Sequence, residues 1–473
     1  MSTLNKHEIQ GIILRGYSNL PSANYMLLQV DDRTKAKQWI AEKQKNITDG
    51  VHKPKTTAMN IAFSLAGLKA LGLKESAINS FSKEFVEGMA TEHKQMMFGD
   101  YGTSDPKNWT WGGVQSPEIH ILLMLYATDA EILSTLYDEV NASLMNGGIS
   151  LIKTIDTERP AHQREHFGFK DGISQPVIAE LSKKSTPENT IAAGEFILGY
   201  KNEYDAYTDG PSVKASEDPD NLLPLFPESQ DKDFGANGSY LVFRQLAQDV
   251  KGFWEFMYET TKDADGKYSH HEAVKLASKM VGRWPDGASL VECPEKQDSH
   301  KSKKNNFTYF KQDPLGHGCP FGAHTKRSHP RDSLENIPEE SVRVSRKHRL
   351  LRRGRSFGEP VAPSMNPSDI HKTDDTSASP RGLNFICFNA DLARQFEFVQ
   401  NIWINNPKFN GLYDEVDPLI GNPAGSGKQS NTFSIQELPF RKRIQDVPQF
   451  VNVMGGSYFF MPSISALKYL ATC

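Results

Sequence analysis

Hydrophobic residues along this chain come in short blocks, each followed by a stretch with helical spacing. Tyr25-Met26-Leu27-Leu28-Gln29-Val30 is an apolar run of strand length, and the charged amphipathic stretch at 32–47 after it predicts a helix. The same pairing recurs at 118–126 (EIHILLMLY), with a helix over 129–144 and strand resuming at 148–152. In the second half, strands at 239–243 (SYLVF), 383–388 (LNFICF) and 457–460 (SYFF) precede helices over 249–261, 391–404 and 464–470. Strand–helix units in both halves, with isolated strands between them, predict an α+β chain whose sheets pack on helices. We divide it into 1–235 and 236–473. Three polar, Pro/Gly-rich stretches at 201–238, 294–318 and 359–382 show no period and are expected to be long loops on the surface.

Composition narrows the classes of function. Across 473 residues, 54 Lys+Arg oppose 58 Asp+Glu, so the chain lacks the basic field that drives nucleic-acid binding. Apolar runs reach about eight residues, well short of the ~20 that span a bilayer, so no membrane partner is expected. Residues 1–20 lack a basic start, apolar core and small-residue cleavage site. The four cysteines, Cys293, Cys319, Cys387 and Cys473, form no Cys-x-x-Cys pair, which fits a reducing compartment. The expectation is a cytoplasmic protein.

Three segments carry possible chemistry. In Glu165-His166-Phe167-Gly168-Phe169-Lys170-Asp171-Gly172, an aspartate between glycines can sit on a tight turn close to a flat ligand, though an ordinary Asp-Gly turn would look the same. In Cys319-Pro320-Phe321-Gly322-Ala323-His324-Thr325-Lys326-Arg327, a histidine follows small residues, and Lys326, Arg327 and Arg331 could pair with acidic substituents of a cofactor. His317, Cys319, His324 and His329 lie close together, but His-x-Cys-x4-His matches no zinc pattern. The third segment, Leu350-Leu351-Arg352-Arg353-Gly354-Arg355-Ser356-Phe357-Gly358, reads as a strand end entering a pocket.

In this order, Gly-x-x-Asp-Gly, Ala-His-x-x-Arg and Leu-Arg-Arg-Gly-x-x-Phe-Gly resemble the dye-decolourising peroxidases, and more specifically their longer cytoplasmic branch. The likeness extends through Gly238-Ser239-Tyr240-Leu241-Val242-Phe243-Arg244, Asp417-Pro418-Leu419-Ile420-Gly421 and Gly456-Ser457-Tyr458-Phe459-Phe460. It implies two ferredoxin-like halves, each with an antiparallel sheet and peripheral helices, plus long loop insertions. It also implies haem b, bound mainly by the C-terminal half, and a peroxidase that takes hydrogen peroxide and oxidises phenolic or dye-like donors through a ferryl intermediate. A haem-handling protein with incidental peroxidase activity is the alternative.

Carried over by position, His324 is the axial iron ligand, and either Asp417 or Asp391 is the acid behind it. Asp171 would move the peroxide proton, and Arg352 would stabilise charge on the leaving oxygen. Lys326, Arg327 and Arg331 are candidates for pairing haem propionates, and Leu383 and Phe385 for lining the pocket. Small aromatic reductants are the expected partners besides peroxide. Trp284, Trp403, Tyr240 and Tyr458 could relay electrons, a reading that competes with simple core packing.

Overall fold

The computed structural model describes residues 3–473 apart from 161, 182–185, 187, 227–228, 376, 378 and 428–429. Several of these fall inside the predicted loops at 201–238 and 359–382, whose expectation at those positions lies outside the described residues.

Nine strands form one antiparallel sheet: β1 Ser22–Val30, β2 Thr57–Phe63, β3 Ile121–Ala127, β4 Ile149–Glu158, β5 Ser239–Gln248, β6 Leu351–Arg352, β7 Arg355–Phe357, β8 Gly382–Asn389 and β9 Val451–Met461. The first four pair in the order β4-β1-β3-β2, and β1 to β2 and β3 to β4 are each bridged by a helix, at Arg33–Lys43 and Ala130–Leu144. That is the ferredoxin-like arrangement. The second half repeats it, with β5 and β8 adjacent at the centre, β9 beside β5, and β6 and β7 as two pieces of one strand beside β8. The expected α+β architecture of two such halves is present. The structure adds that the two sheets join, β2 to β9 through Phe63–Phe460 and β4 to β7 through Glu158–Ser356, so the ring closes into a barrel.

Alternation along the strands explains the packing. Tyr25, Leu122, Tyr126, Leu241, Phe243, Phe388 and Phe459 fill one core, capped by Ile9, Ile12, Ile13 and Tyr17. Their strand neighbours Met26, Leu123, Val242 and Phe460 belong to a second core with Trp39, Val140, Leu144 and Leu467 from the surrounding helices. Because both faces are covered, β3 is buried at every residue, which is why its sequence is a continuous apolar run.

Two expectations change. Strand β2 had no apolar signature because polar Asn60 sits at its centre; Asn60 is fully buried, accepting from Tyr17 Oη at 3.0 Å and donating to Gln10 Oε1 at 3.2 Å. The predicted loops are also more than surface: Phe234 and Leu223 from the first, and Phe307 and Tyr309 from the second, are buried in the cores.

Candidate active site

On the outer face of the second half, a cavity lies between strands β5, β8 and β9 and the helical segments at His324–Ser328 and 393–404. Alternation on β8 directs Leu383 and Phe385 into it, and on β5 directs Arg244, Leu246 and Gln248. The segment predicted as a helix over 391–404 winds more widely than an α-helix. Glu397 N donates to Leu392 O at 3.0 Å and Asn405 N to Gln400 O at 3.1 Å, five residues back. This turn supplies Phe396, Val399 and Ile404 to the cavity wall.

His324 opens a short helix whose residues His324, Thr325 and Ser328, with His329 just beyond it, face the cavity. His324 Nδ1 lies 2.9 Å from Asp417 Oδ2, and Asp417 is fully buried. The other Asp417 oxygen accepts the backbone N–H groups of Leu419 (2.9 Å) and Ile420 (3.0 Å). Burial alone would raise this carboxyl, but the His324 ring and these donors outweigh it and hold Asp417 below the ordinary carboxylate range. With Nδ1 committed, Nε2 is the ring nitrogen left for a ligand. Asp391, the alternative acid, instead accepts from Arg394 N at 2.9 Å and Arg394 Nε at 3.3 Å.

Helical phase corrects the assignment of Lys326 and Arg327. Both lie on the side of the helix away from the cavity, fully buried. Lys326 Nζ donates to Cys319 O and sits 4.4 Å over Phe321 and 4.6 Å over Tyr309. Arg327 donates to the carbonyls of Trp403 (2.8 Å) and Glu415 (2.7 Å) and cross-braces the chain behind His324. Neither lines the cavity. Arg331 does line it, held by Asn305 O at 3.0 Å and Phe307 O at 3.1 Å.

Asp171 and Arg352 meet in the same cavity, with Arg352 Nη1 3.3 Å from Asp171 Oδ1. The Gly172 N–H donates to that same oxygen at 2.6 Å, so Oδ2 has no protein partner among the described residues. Their side chains keep 40% and 29% exposure, enough for a small molecule to reach them.

Sequence reasoning passed over three further cavity residues. Arg349 and Arg283 join Arg331 to form a cationic wall, and their hydrogen bonds go to carbonyls, Asn305, Asn189 and His329 rather than to carboxylates. Arg349 Nη1 donates to His329 Nε2 at 3.2 Å, so the ring proton sits on Nδ1, which is buried and has no partner among the described residues. Burial, then the charges of Arg349, Arg331, Arg283 and Arg352, keep His329 well below the ordinary histidine range. Glu165 lines the cavity too, and burial raises its carboxyl to about 7 despite donors at Gln248, Phe167 and Phe169. For Arg349 and Glu165 the signal was contextual: a basic run beside a histidine, and a carboxylate two residues before a Phe-Gly-Phe turn. Trp284, Trp403, Tyr240 and Tyr458 are core residues, each at most 4% exposed.

One free imidazole nitrogen backed by a carboxylate, apolar walls, and arginines that meet no carboxylate among the described residues suit a flat, apolar, dianionic group ligated through a metal. That is the chemistry of haem.

The chain's likeness to known proteins runs through both halves. The model of the DyP dimeric alpha+beta barrel domain matches residues 8–160, and that of the C-terminal domain of Dyp-type peroxidases matches residues 201–427. A dye-decolorizing peroxidase of Mycena epipterygia is 30% identical over 449 residues, covering 88% of this chain and 76% of that protein. A multifunctional dye peroxidase of an Amycolatopsis species is 30% identical over 436 residues, covering 88% of this chain and 82% of its own length. The crystal structure of a fungal DyP-type peroxidase from Auricularia auricula-judae matches at a TM-score of 0.79 and 26% identity across 100% of both chains. On these matches, and with the fold and cavity described above, this chain belongs to the dye-decolourising peroxidase family.

Proposed function

We propose that this protein is a haem-dependent peroxidase that reduces hydrogen peroxide and oxidises phenolic or dye-like donors. The observation that carries the reading is one cavity holding both the Asp417-backed His324 and the Asp171–Arg352 pair. A haem carrier needs the first but not the second. The cofactor we assign is haem b, and the division of the chain near 235/236, just ahead of β5, is part of the same reading.

His324 Nε2 would hold the iron, and Arg331, Arg349 and His329 Nδ1 would receive the acidic side groups of the porphyrin. When bound, haem supplies the iron that takes up peroxide and stores its two oxidising equivalents. Asp417 keeps the His324 ring oriented and its Nδ1 proton in place, which raises the basicity of Nε2. Asp171 Oδ2 takes a proton from one peroxide oxygen and returns it to the other, which leaves as water. Arg352 is permanently charged and cannot be the base. It holds Asp171 through Oδ1 and stabilises negative charge on the departing oxygen. Leu383 and Phe385 make the wall beside that transfer apolar. The scattered, unpaired cysteines support a cytoplasmic location, and no helix among the described residues is long and apolar enough to cross a membrane.

Absorption spectroscopy tests this directly. Haem-loaded wild type should show a Soret band that shifts on peroxide addition. His324→Ala should lose haem on gel filtration, whereas Arg352→Ala should keep it and lose turnover by about 100-fold or more. A band that peroxide leaves unmoved in wild type would reduce the protein to a haem carrier. Full haem occupancy in His324→Ala would move the ligand elsewhere.

A further inference from the structure

Next to the main cavity a second chamber of about 400 Å³ opens, its lining shared with the first at Glu165, Asp171, Gly172, Arg352 and Leu383. It therefore leads to the Asp171–Arg352 pair. Its outer rim includes the exposed Lys53 and Glu158, so it also meets solvent.

Its charge is lopsided. Besides Arg352, six cations line it: Arg15, Lys53, Arg159, Arg164, Arg353 and Arg355. The acids are Glu158, Asp171, which is held by Arg352, and Glu165, which burial keeps partly protonated near neutrality. Among the described residues none of the six cations is in ion-pair contact with a carboxylate. Arg15, Arg164, Arg353 and Arg355 donate to backbone carbonyls, at Gly50, Met365, Ile12 and Leu20 among others. Those bonds satisfy N–H groups without cancelling charge.

Arg159 differs from these four. It is half-buried, yet its guanidinium has no hydrogen-bond partner among the described residues. Burial and the neighbouring Arg355 charge disfavour its protonated form, and only Asp171 acts in the opposite sense. A planar donor fork without an acceptor, in a chamber with surplus positive charge, is complementary to a carboxylate. Hydrogen peroxide is neutral and needs none of this.

We propose that the chamber binds a small organic carboxylate beside the peroxide site, and that Arg159 is the residue that receives its anionic group. Electrostatic focusing by the surrounding cations then favours anionic over neutral or cationic small molecules at this entrance. The inference rests on the peroxidase reading only for what lies at the chamber's inner end; the binding itself does not depend on turnover.

Calorimetric titration of the haem-loaded protein with benzoate, and with its neutral isostere benzamide, tests the proposal. Benzoate should bind about tenfold more tightly at low salt, and the gap should narrow as sodium chloride is raised. Arg159→Gln should weaken benzoate about fivefold and leave benzamide unchanged, whereas Glu158→Gln at the exposed rim should strengthen benzoate. In steady state, benzoate should raise KM for peroxide without lowering kcat. Equal affinity for the two probes, a gap indifferent to salt, or wild-type discrimination in Arg159→Gln would each overturn the proposal. A protein that discriminates the probes but never turns over peroxide would support this site and refute the peroxidase.

Discussion

His324 commits one ring nitrogen to Asp417, and that contact governs how firmly the other can hold a metal. Replacing Asp417 with Asn keeps the size but removes the charge. Haem transfer to an apoprotein acceptor should then quicken, with retention falling about 10- to 100-fold. Glu165 gives a pH signature of its own. Its carboxyl moves from an ordinary 4.5 up to about 7 on folding, so the folded chain binds that proton more tightly than the unfolded one. Stability should therefore fall as pH rises from about 4.5 to about 7, with the deficit complete above that window. That loss of stability between about pH 4.5 and about 7 should be absent in Glu165→Gln, as urea unfolding of both proteins across the window would measure. At this scale the sequence was informative about which motif residues share a cavity, as for His324, Asp171 and Arg352. It was silent where direction depends on helical phase. Lys326 and Arg327 follow the histidine by two and three positions, yet both turn their charges into the protein.

Elements carry the site through their junctions. The helix His270–Val281 ends at Gly282, which adopts φ +96° and donates to Ser278 O at 2.7 Å. A Cβ there would lie 1.8 Å from Thr325 Oγ1, on the residue that follows the proposed iron ligand. Gly282→Ala should thus combine left-handed strain with displacement of the His324 helix, costing about 2–3 kcal/mol and weakening haem retention in parallel. Thermal unfolding and haem release, measured on the same variant, would check the coupling. Strands with uninterrupted apolar runs, such as β3, were legible from pattern because both faces are buried. Strand β2 was not, because Asn60 interrupts it and finds its partners in Gln10 and Tyr17, far away in sequence. The broad turn at 393–404 reads as an ordinary helix in sequence, since spacing hardly separates four-residue from five-residue hydrogen bonding.

Over the whole molecule, the two cores that flank the barrel strands are shared between the ferredoxin-like halves. Met26 and Leu123 from the first pack in one cluster with Val242 and Phe460 from the second, and Tyr25 and Leu122 share the other with Phe243 and Phe459. Haem loss and far-UV ellipticity should therefore follow one coincident transition in denaturant. Fragments 1–235 and 236–473 expressed apart should yield no haem-binding protein, and mixing them during refolding should restore it; independent folding of either would contradict the shared core. Recurring strand–helix units pointed to two halves, but nothing local marks the joins, which rest on the single register pairs Phe63–Phe460 and Glu158–Ser356. Closure has one further consequence. Strands β2 and β9 meet only at Phe63–Phe460, and loops cover their edges beyond it: Thr48 N donates to Met59 O at 2.8 Å and Thr110 N to Met454 O at 2.7 Å, so a foreign strand would have to displace these contacts to extend the sheet there. A partner that docks on the surrounding helices and loops leaves these contacts, and the cavity's framework behind them, undisturbed.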